Sequence, residues 1–271
     1  MRENKPRHNP KAFLLLLALS CAQFFAGCAS SSETAPTAGK ATASNSQPSA
    51  ELLKQADDLY NAREDLARVR EGLETLRRAR AVDYNNYELA WRTARFNYVL
   101  GDKTTDKEER LKAFSEGIEA GEIAVRAEPE KPEGHFWYGA NQGGYANARG
   151  PLYGLSAAEG LRKEMETVLR LDEGFLGGSA FMVLGRLDVE LPSMLGGDTK
   201  RAVETLERGM KYGEQNALYR LRLAEAYVQN KRMKEAREQI NIIIGMKPHP
   251  LFVPEHKEAV EKARELLEKR F

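Results

Sequence analysis

The stretch ALYRLRLAEAYVQNKRMKEAREQINIIIGMKPHP, residues 217–250, decides the fold. Small residues stand at Ala224 and Ala236, where they let two helices approach closely. Tyr227 and Ile240 are large and fill the groove beside each small residue. Met233, Ala236, Ile240, Ile243 and Ile244 form one apolar stripe at helical spacing. Asn216 suits the N-cap of the first helix, and Pro248 closes the unit. The spacing predicts a helical hairpin that cannot bury its apolar faces without neighbours.

Neighbours of the same kind precede it. Leu184-Gly185 repeat the Leu223-Ala224 pair, with Ala202 as the small partner 17 residues on instead of 12. The five extra residues fall around Leu191–Gly197. Tyr138-Gly139 repeat the pair again, followed by a larger insertion, Gly143–Leu155. Expected ends of second helices at Arg80-Ala81, Arg126-Ala127, Arg170-Leu171, Lys211-Tyr212 and Gly245-Met246 recur at intervals of 46, 44, 41 and 34 residues. Capping-box spacing at Asp106 with Glu109 and at Ser156 with Glu159, an N-cap at Asp198 and Pro254 at the start of the last helix mark further beginnings. About eleven helices result. These are tetratricopeptide-like repeats. The fold class expected for residues 51–271 is all-α, an α-solenoid of antiparallel helical hairpins with inserted turns and a concave face.

The segment before residue 51 reads differently. Arg2, Lys5, Arg7 and Lys11 precede an apolar run from Phe13 to Phe25, too short to span a bilayer comfortably. Phe25-Ala26-Gly27-Cys28 fits a bacterial lipobox. Residues 1–27 are then a signal peptide, and Cys28 carries acyl chains such as palmitate. Cys21 is the weaker site, because cleavage there would leave Phe24-Phe25 exposed. Residues 28–50, rich in Ser, Ala and Thr, form a flexible tether. The mature chain is expected in the periplasm, lipid-anchored, with the outer membrane as the expected site. With Cys28 acylated, no free thiol remains for a disulfide, a zinc site or a nucleophile. Removing the signal's four basic residues and Glu3 leaves 37 basic and 39 acidic residues, a near-neutral chain with no nucleic-acid footprint.

Catalytic signatures are missing: no phosphate-binding loop, HExxH or GxSxG. His249 and His256 flank a proline-rich turn and read as solvent-exposed rather than as a metal pair. The expectation is a non-enzymatic protein with no cofactor and no metal. The informative segment is Glu133–Tyr145, in which His135, Trp137, Tyr138, Asn141 and Gln142 cluster. Two readings stay open. The aromatics are repeat core, or they wall a pocket or partner surface with Asn141, Gln142 and Arg149 as polar fixings. Arg186 is either a clamp on a loop carbonyl or carboxylate or a further binding residue. The insertion 143–155 is expected to pack over the concave face or to form an oligomer contact.

The stretch Pro132–Asn141 resembles the signature of the T-component (TatT-like) lipoproteins associated with TRAP transporters. Leu171-Asp172, Val183–Leu187, Glu190-Leu191-Pro192 and Gly196-Gly197-Asp198 match as well, and the resemblance covers Glu51 to Arg270. It departs at Asp188 and Phe136, where that family often carries Tyr. The resemblance implies a periplasmic, lipid-anchored helical-repeat protein that associates with a periplasmic solute-binding protein, with a homotrimer and with pores for small apolar ligands. The competing expectation is a structural envelope lipoprotein whose repeats bind an outer-membrane assembly or cell-wall protein.

Overall fold

The computed structural model describes residues 50–271. The expected signal peptide, Cys28 and the expected tether up to residue 49 lie outside the described residues. Among those described, the chain forms eleven α-helices and no strand: α1 (Ala50–Asn61), α2 (Leu66–Arg80), α3 (Tyr87–Lys103), α4 (Lys107–Ala127), α5 (Pro132–Arg149), α6 (Pro151–Leu171), α7 (Ser179–Glu190), α8 (Thr199–Gly213), α9 (Ala217–Gln229), α10 (Met233–Gly245) and α11 (Val253–Arg270). The even-numbered helices α2 to α10 end within two residues of the sites the repeat spacing marks. Asp106, Asp198 and Asn216 cap α4, α8 and α9 as expected, each accepting from a backbone N–H in the first turn.

Two local expectations are corrected. Ser156 does not start a helix: it lies inside α6, and its hydroxyl donates to the Tyr153 carbonyl. The insertion 143–155 is not a loop laid over the concave face. It lengthens α5 and α6, which meet at Gly150 in a backbone conformation (φ 105°) that favours glycine.

Each helix packs on the next, and helices two apart also touch in the odd series: α1 on α3, α3 on α5, α7 on α9 and α9 on α11. The odd helices therefore form the inner layer and the even ones the outer. Apolar clusters run the length of the stack: Leu59, Leu76 and Phe96 near the start, a small one at Tyr87 and Ile123, then Trp137, Met165 and Leu184, then Phe181, Leu206 and Tyr219, then Leu221, Ile240 and Ala263. Stacking buries faces that one hairpin would leave wet. The described chain is an all-α tetratricopeptide-like solenoid.

Glycine sets the closest approach. A Cβ on Gly121 of α4 would stand 2.7 Å from the Cα of Tyr138 in α5, so the two backbones are in near contact. A Cβ on Gly139 would meet Met165 Cε at 2.9 Å, so α6 is drawn in on the other side of α5.

Candidate functional site

The Glu133–Tyr145 segment lies on α5, which is covered by α3, α4 and α6. Trp137 is 6% exposed and packs edge-on against Phe136, ring centroids 5.0 Å apart, and against Tyr98 at 5.7 Å. His135 is also buried. Its Nδ1 lies 2.6 Å from Glu164 of α6 and its Nε2 2.9 Å from the Pro129 carbonyl. The hydrogen bond to Glu164 holds the imidazole above its ordinary pKa, against desolvation, and the Pro129 carbonyl acts the same way. Asn141 is fully buried and donates to the carbonyls of Ala94 (2.9 Å) and Trp137 (2.7 Å), stapling α5 to α3. Its oxygen occupies the space that Gly117 of α4 leaves open.

Those three side chains therefore sit between helices. Tyr138 and Gln142 are half-buried, and the Gln142 side-chain oxygen is buried without a partner. Arg149 is exposed and donates to the Tyr153 hydroxyl at 3.0 Å. The seven candidates do not converge on one opening. Two surface clefts, one along Glu51, Asp58 and Arg68 and one along Arg220, Met246 and His249, are lined by none of them.

Arg186 does not clamp one repeat to another. It pairs with Glu190 one turn along α7, at 2.6 Å, with both side chains exposed. Arg162 of α6 and Arg201 of α8 do the clamping. Both grip Asp188, which is 1% exposed, at 2.5 and 2.6 Å, and Arg201 also donates to the Gly196 carbonyl at 2.6 Å. The sequence carries no periodic signal for this, because the partners stand 26 and 13 residues away.

The inner layer also carries partly accessible charge. On α3 almost every side chain is buried except the stripe Trp91, Arg95, Tyr98 and Asp102, spaced at helical turns, with Glu88 one turn before it and Lys103 at the helix end. Arg95 lies 3.8 Å from the Tyr60 ring centroid and 4.8 Å from that of Trp91, and it donates to Asp57 at 2.5 Å. Burial would raise the Asp57 carboxyl, but hydrogen bonds from Arg92 and Arg95 outweigh it and hold the group below its ordinary value. At the other end, desolvation raises the Tyr98 phenol, the Asp102 charge adds to this, and Arg186 of α7 and Arg222 of α9 oppose it. Desolvation and the Glu258 charge likewise raise Asp102, although its side chain meets solvent. The charges of Asp102 on α3, Arg186 on α7, Arg222 on α9 and Glu258 on α11 thus act on this one region of the inner layer.

Sequence reasoning finds Arg186 but misses Arg95, Tyr98, Asp102 and Arg222. Three half-buried residues and an exposed one at turn spacing along an otherwise buried helix are visible only once burial is known. Arg186 and Arg222 are each held by a carboxylate of their own helix, Glu190 and Glu225. The inner layer thus presents charge, hydrogen-bonding groups and aromatic faces together. His135 is committed to the α5–α6 contact, and among the described residues no group of three or more His, Cys, Asp or Glu is placed to hold a metal.

Comparison with known proteins agrees with this architecture. A family profile described as regulator of microtubule dynamics protein 1-3 matches residues 52–194, just over half of the chain, and a tetratricopeptide repeat profile matches 194–251. The solved structure of TTC0263, a thermophilic tetratricopeptide protein from Thermus thermophilus, superposes with a TM-score of 0.56 at 18% identity, covering 78% of this chain and 98% of that one. MamA, at 12% identity, covers 73% of this chain and 92% of its own with a TM-score of 0.44. No curated protein sequence matches the chain. At 18% identity the likeness to TTC0263 speaks to the fold alone.

Proposed function

The chain belongs to the family described as regulator of microtubule dynamics protein 1-3, and from that premise we propose that it is a non-enzymatic, lipid-anchored periplasmic scaffold whose inner face docks a segment of another envelope protein. The proposal takes from the family its helical scaffold, not the process in its description. One observation carries it: along α3 Trp91, Arg95 and Tyr98 are only half-buried and Asp102 is exposed, so the inner layer keeps aromatic and charged groups within reach of solvent. A helix surrounded by neighbours keeps charged and aromatic groups on its open side at a cost in burial, which a bound partner recovers.

The more specific form names the partner as a solute-binding protein of a TRAP-type transporter. Its support is the resemblance over 132–141 and 183–198, which also implies a homotrimer and a small apolar ligand. One observation favours the other partner, an outer-membrane assembly or cell-wall protein: Trp137, the aromatic expected to wall a ligand opening, is buried in the core. Gln142, Tyr138, Arg149 and Arg186 remain the accessible members of the candidate set. Membrane attachment is proposed to run through acyl chains on Cys28.

Affinity purification of the lipid-anchored protein from its native envelope tests both levels. The wild type is expected to bring down one envelope protein in fixed ratio, and the Arg186→Glu, Arg222→Glu double variant to lose it. A solute-binding protein would establish the specific form. An assembly or cell-wall protein would replace it. Equal recovery with the double variant would remove the inner face as the docking site.

A further inference from the structure

Arg63, in the turn between α1 and α2, reaches the other end of the chain. Its Nη2 donates to both carboxylate oxygens of Glu255 at 3.0 and 3.1 Å and to the Leu251 carbonyl at 3.3 Å, across 192 and 188 residues. The Arg63 side chain is buried there, and its other terminal nitrogen donates to the Tyr60 carbonyl at 3.4 Å. The first hairpin of the solenoid therefore meets the start of its last helix.

The rest of that junction is thin. Neither α1 nor α2 packs lengthwise against α11. The apolar cluster at the start, around Leu59, Leu76 and Phe96, shares no residue with the cluster at the end, around Leu221, Ile240 and Ala263. Charged hydrogen bonds hold it, not a continuous core. The contact is also joined to the inner face. The Tyr60 ring carries the Arg63 guanidinium, 4.7 Å from its centroid, and the Arg95 guanidinium, 3.8 Å from it. Arg95 belongs to the half-buried stripe of α3.

We propose that the Arg63–Glu255 contact is a latch that closes the superhelix on itself and whose release frees the first hairpin. In the closed state the two ends of the stack are tied. In the open state the first hairpin swings on the α1–α3 seam, and the Tyr60–Arg95–Trp91 stack becomes wet. This inference stands on the junction's own geometry and survives whichever protein proves to be the partner.

Amide exchange on the full lipid-anchored chain in detergent tests it. In Arg63→Glu, exchange at residues 58–66 and 247–256 is expected to rise about tenfold or more, the effect of losing a charged, partly buried hydrogen bond, while amides of α4 and α5 keep their wild-type rates. Combining it with Glu255→Arg restores the opposite charges and is expected to return both segments toward wild-type rates. Acrylamide quenching of tryptophan fluorescence supplies the second measurement. The chain holds two tryptophans; Trp137 is buried in the core, so added quenching in Arg63→Glu reports Trp91. Unchanged exchange at the two segments overturns the latch. So does a rise spread equally over α4 and α5, which would make Arg63 a general stabiliser. Failure of the charge swap to recover protection, or quenching unaffected by opening, overturns it as well.

Discussion

At the scale of single residues, His135 has an acceptor on each ring nitrogen, Glu164 on one and the Pro129 carbonyl on the other. Both favour the imidazolium, so its folded pKa lies above the ordinary histidine value. A group raised in this way contributes stability that is fully present below the unfolded pKa, near ~6.5. That contribution fades as pH rises through the folded pKa. Urea unfolding should therefore show the wild type losing stability from neutral to alkaline pH, with the slope largely gone in His135→Gln. At pH 6 the variant should be weaker by about 1.5–3 kcal/mol, the usual worth of a charged hydrogen bond. A variant with the wild-type pH slope would show that another group carries it. Gly121 makes a second residue-level case. Alanine gains about 1 kcal/mol of helix propensity there, but its Cβ would stand 2.7 Å from the Tyr138 Cα, and backbone does not give way as a side chain would. Overpacking of about 1–3 kcal/mol should win, so Gly121→Ala lowers the melting temperature. Gly154→Ala, with nothing within 4 Å of the new Cβ, should leave it unchanged or raise it. The sequence shows that residues 133–145 carry aromatic and polar groups together. It does not show that Gly117, Gly121 and Glu164, far along the chain, close over them. This is why Asn141 reads equally as a pocket fixing or an interhelical staple until its partners are seen.

At the scale of elements, helix ends are legible because caps are local. Asp106, Asp198 and Asn216 each bond a backbone N–H two or three residues on. The α5–α6 extension is not legible, because Pro151 and the surrounding glycines look like a loop, yet proline is tolerated in the first turn of a helix. The 191–198 turn is recognisable as an insertion, but Arg186, the nearest arginine in sequence, is not what fastens it. The turn hangs on Asp188, which carries Arg162 and Arg201. Gly196 in turn sits at φ 88°, where a side chain would be strained. Asp188→Ala should cost about 1.5–3 kcal/mol and raise amide exchange from 192 to 198. Arg186→Ala removes only an exposed pair and should stay within about 0.5 kcal/mol of wild type. If instead Arg186→Ala loosens the turn and Asp188→Ala does not, the assignment of the clamp is reversed.

At the scale of the whole molecule, the repeat spacing predicts stacked hairpins but not that the stack closes on itself. Small rotations between successive hairpins add up along a solenoid. No single spacing encodes their sum, so the meeting of Arg63 with Glu255 has no local signature. The proposed attachment to a membrane also belongs to this scale, since it positions the scaffold as a unit. Each buried CH₂ of an acyl chain contributes about 0.8 kcal/mol, and one chain alone binds only marginally, so two or more chains on Cys28 would hold the protein firmly. Serine at that position can be neither diacylated through a thioether nor cleaved at the lipobox. Expressed as a precursor in its native host, Cys28→Ser should shift from the lipid-bound fraction after signal removal elsewhere, or stay as an uncleaved precursor lacking incorporated palmitate. Labelled palmitate distinguishes the outcomes directly. Wild type that takes up none, or Cys28→Ser that takes up as much as wild type, removes the anchor assignment. Neither result bears on the helical solenoid, which is built from the contacts among its own helices.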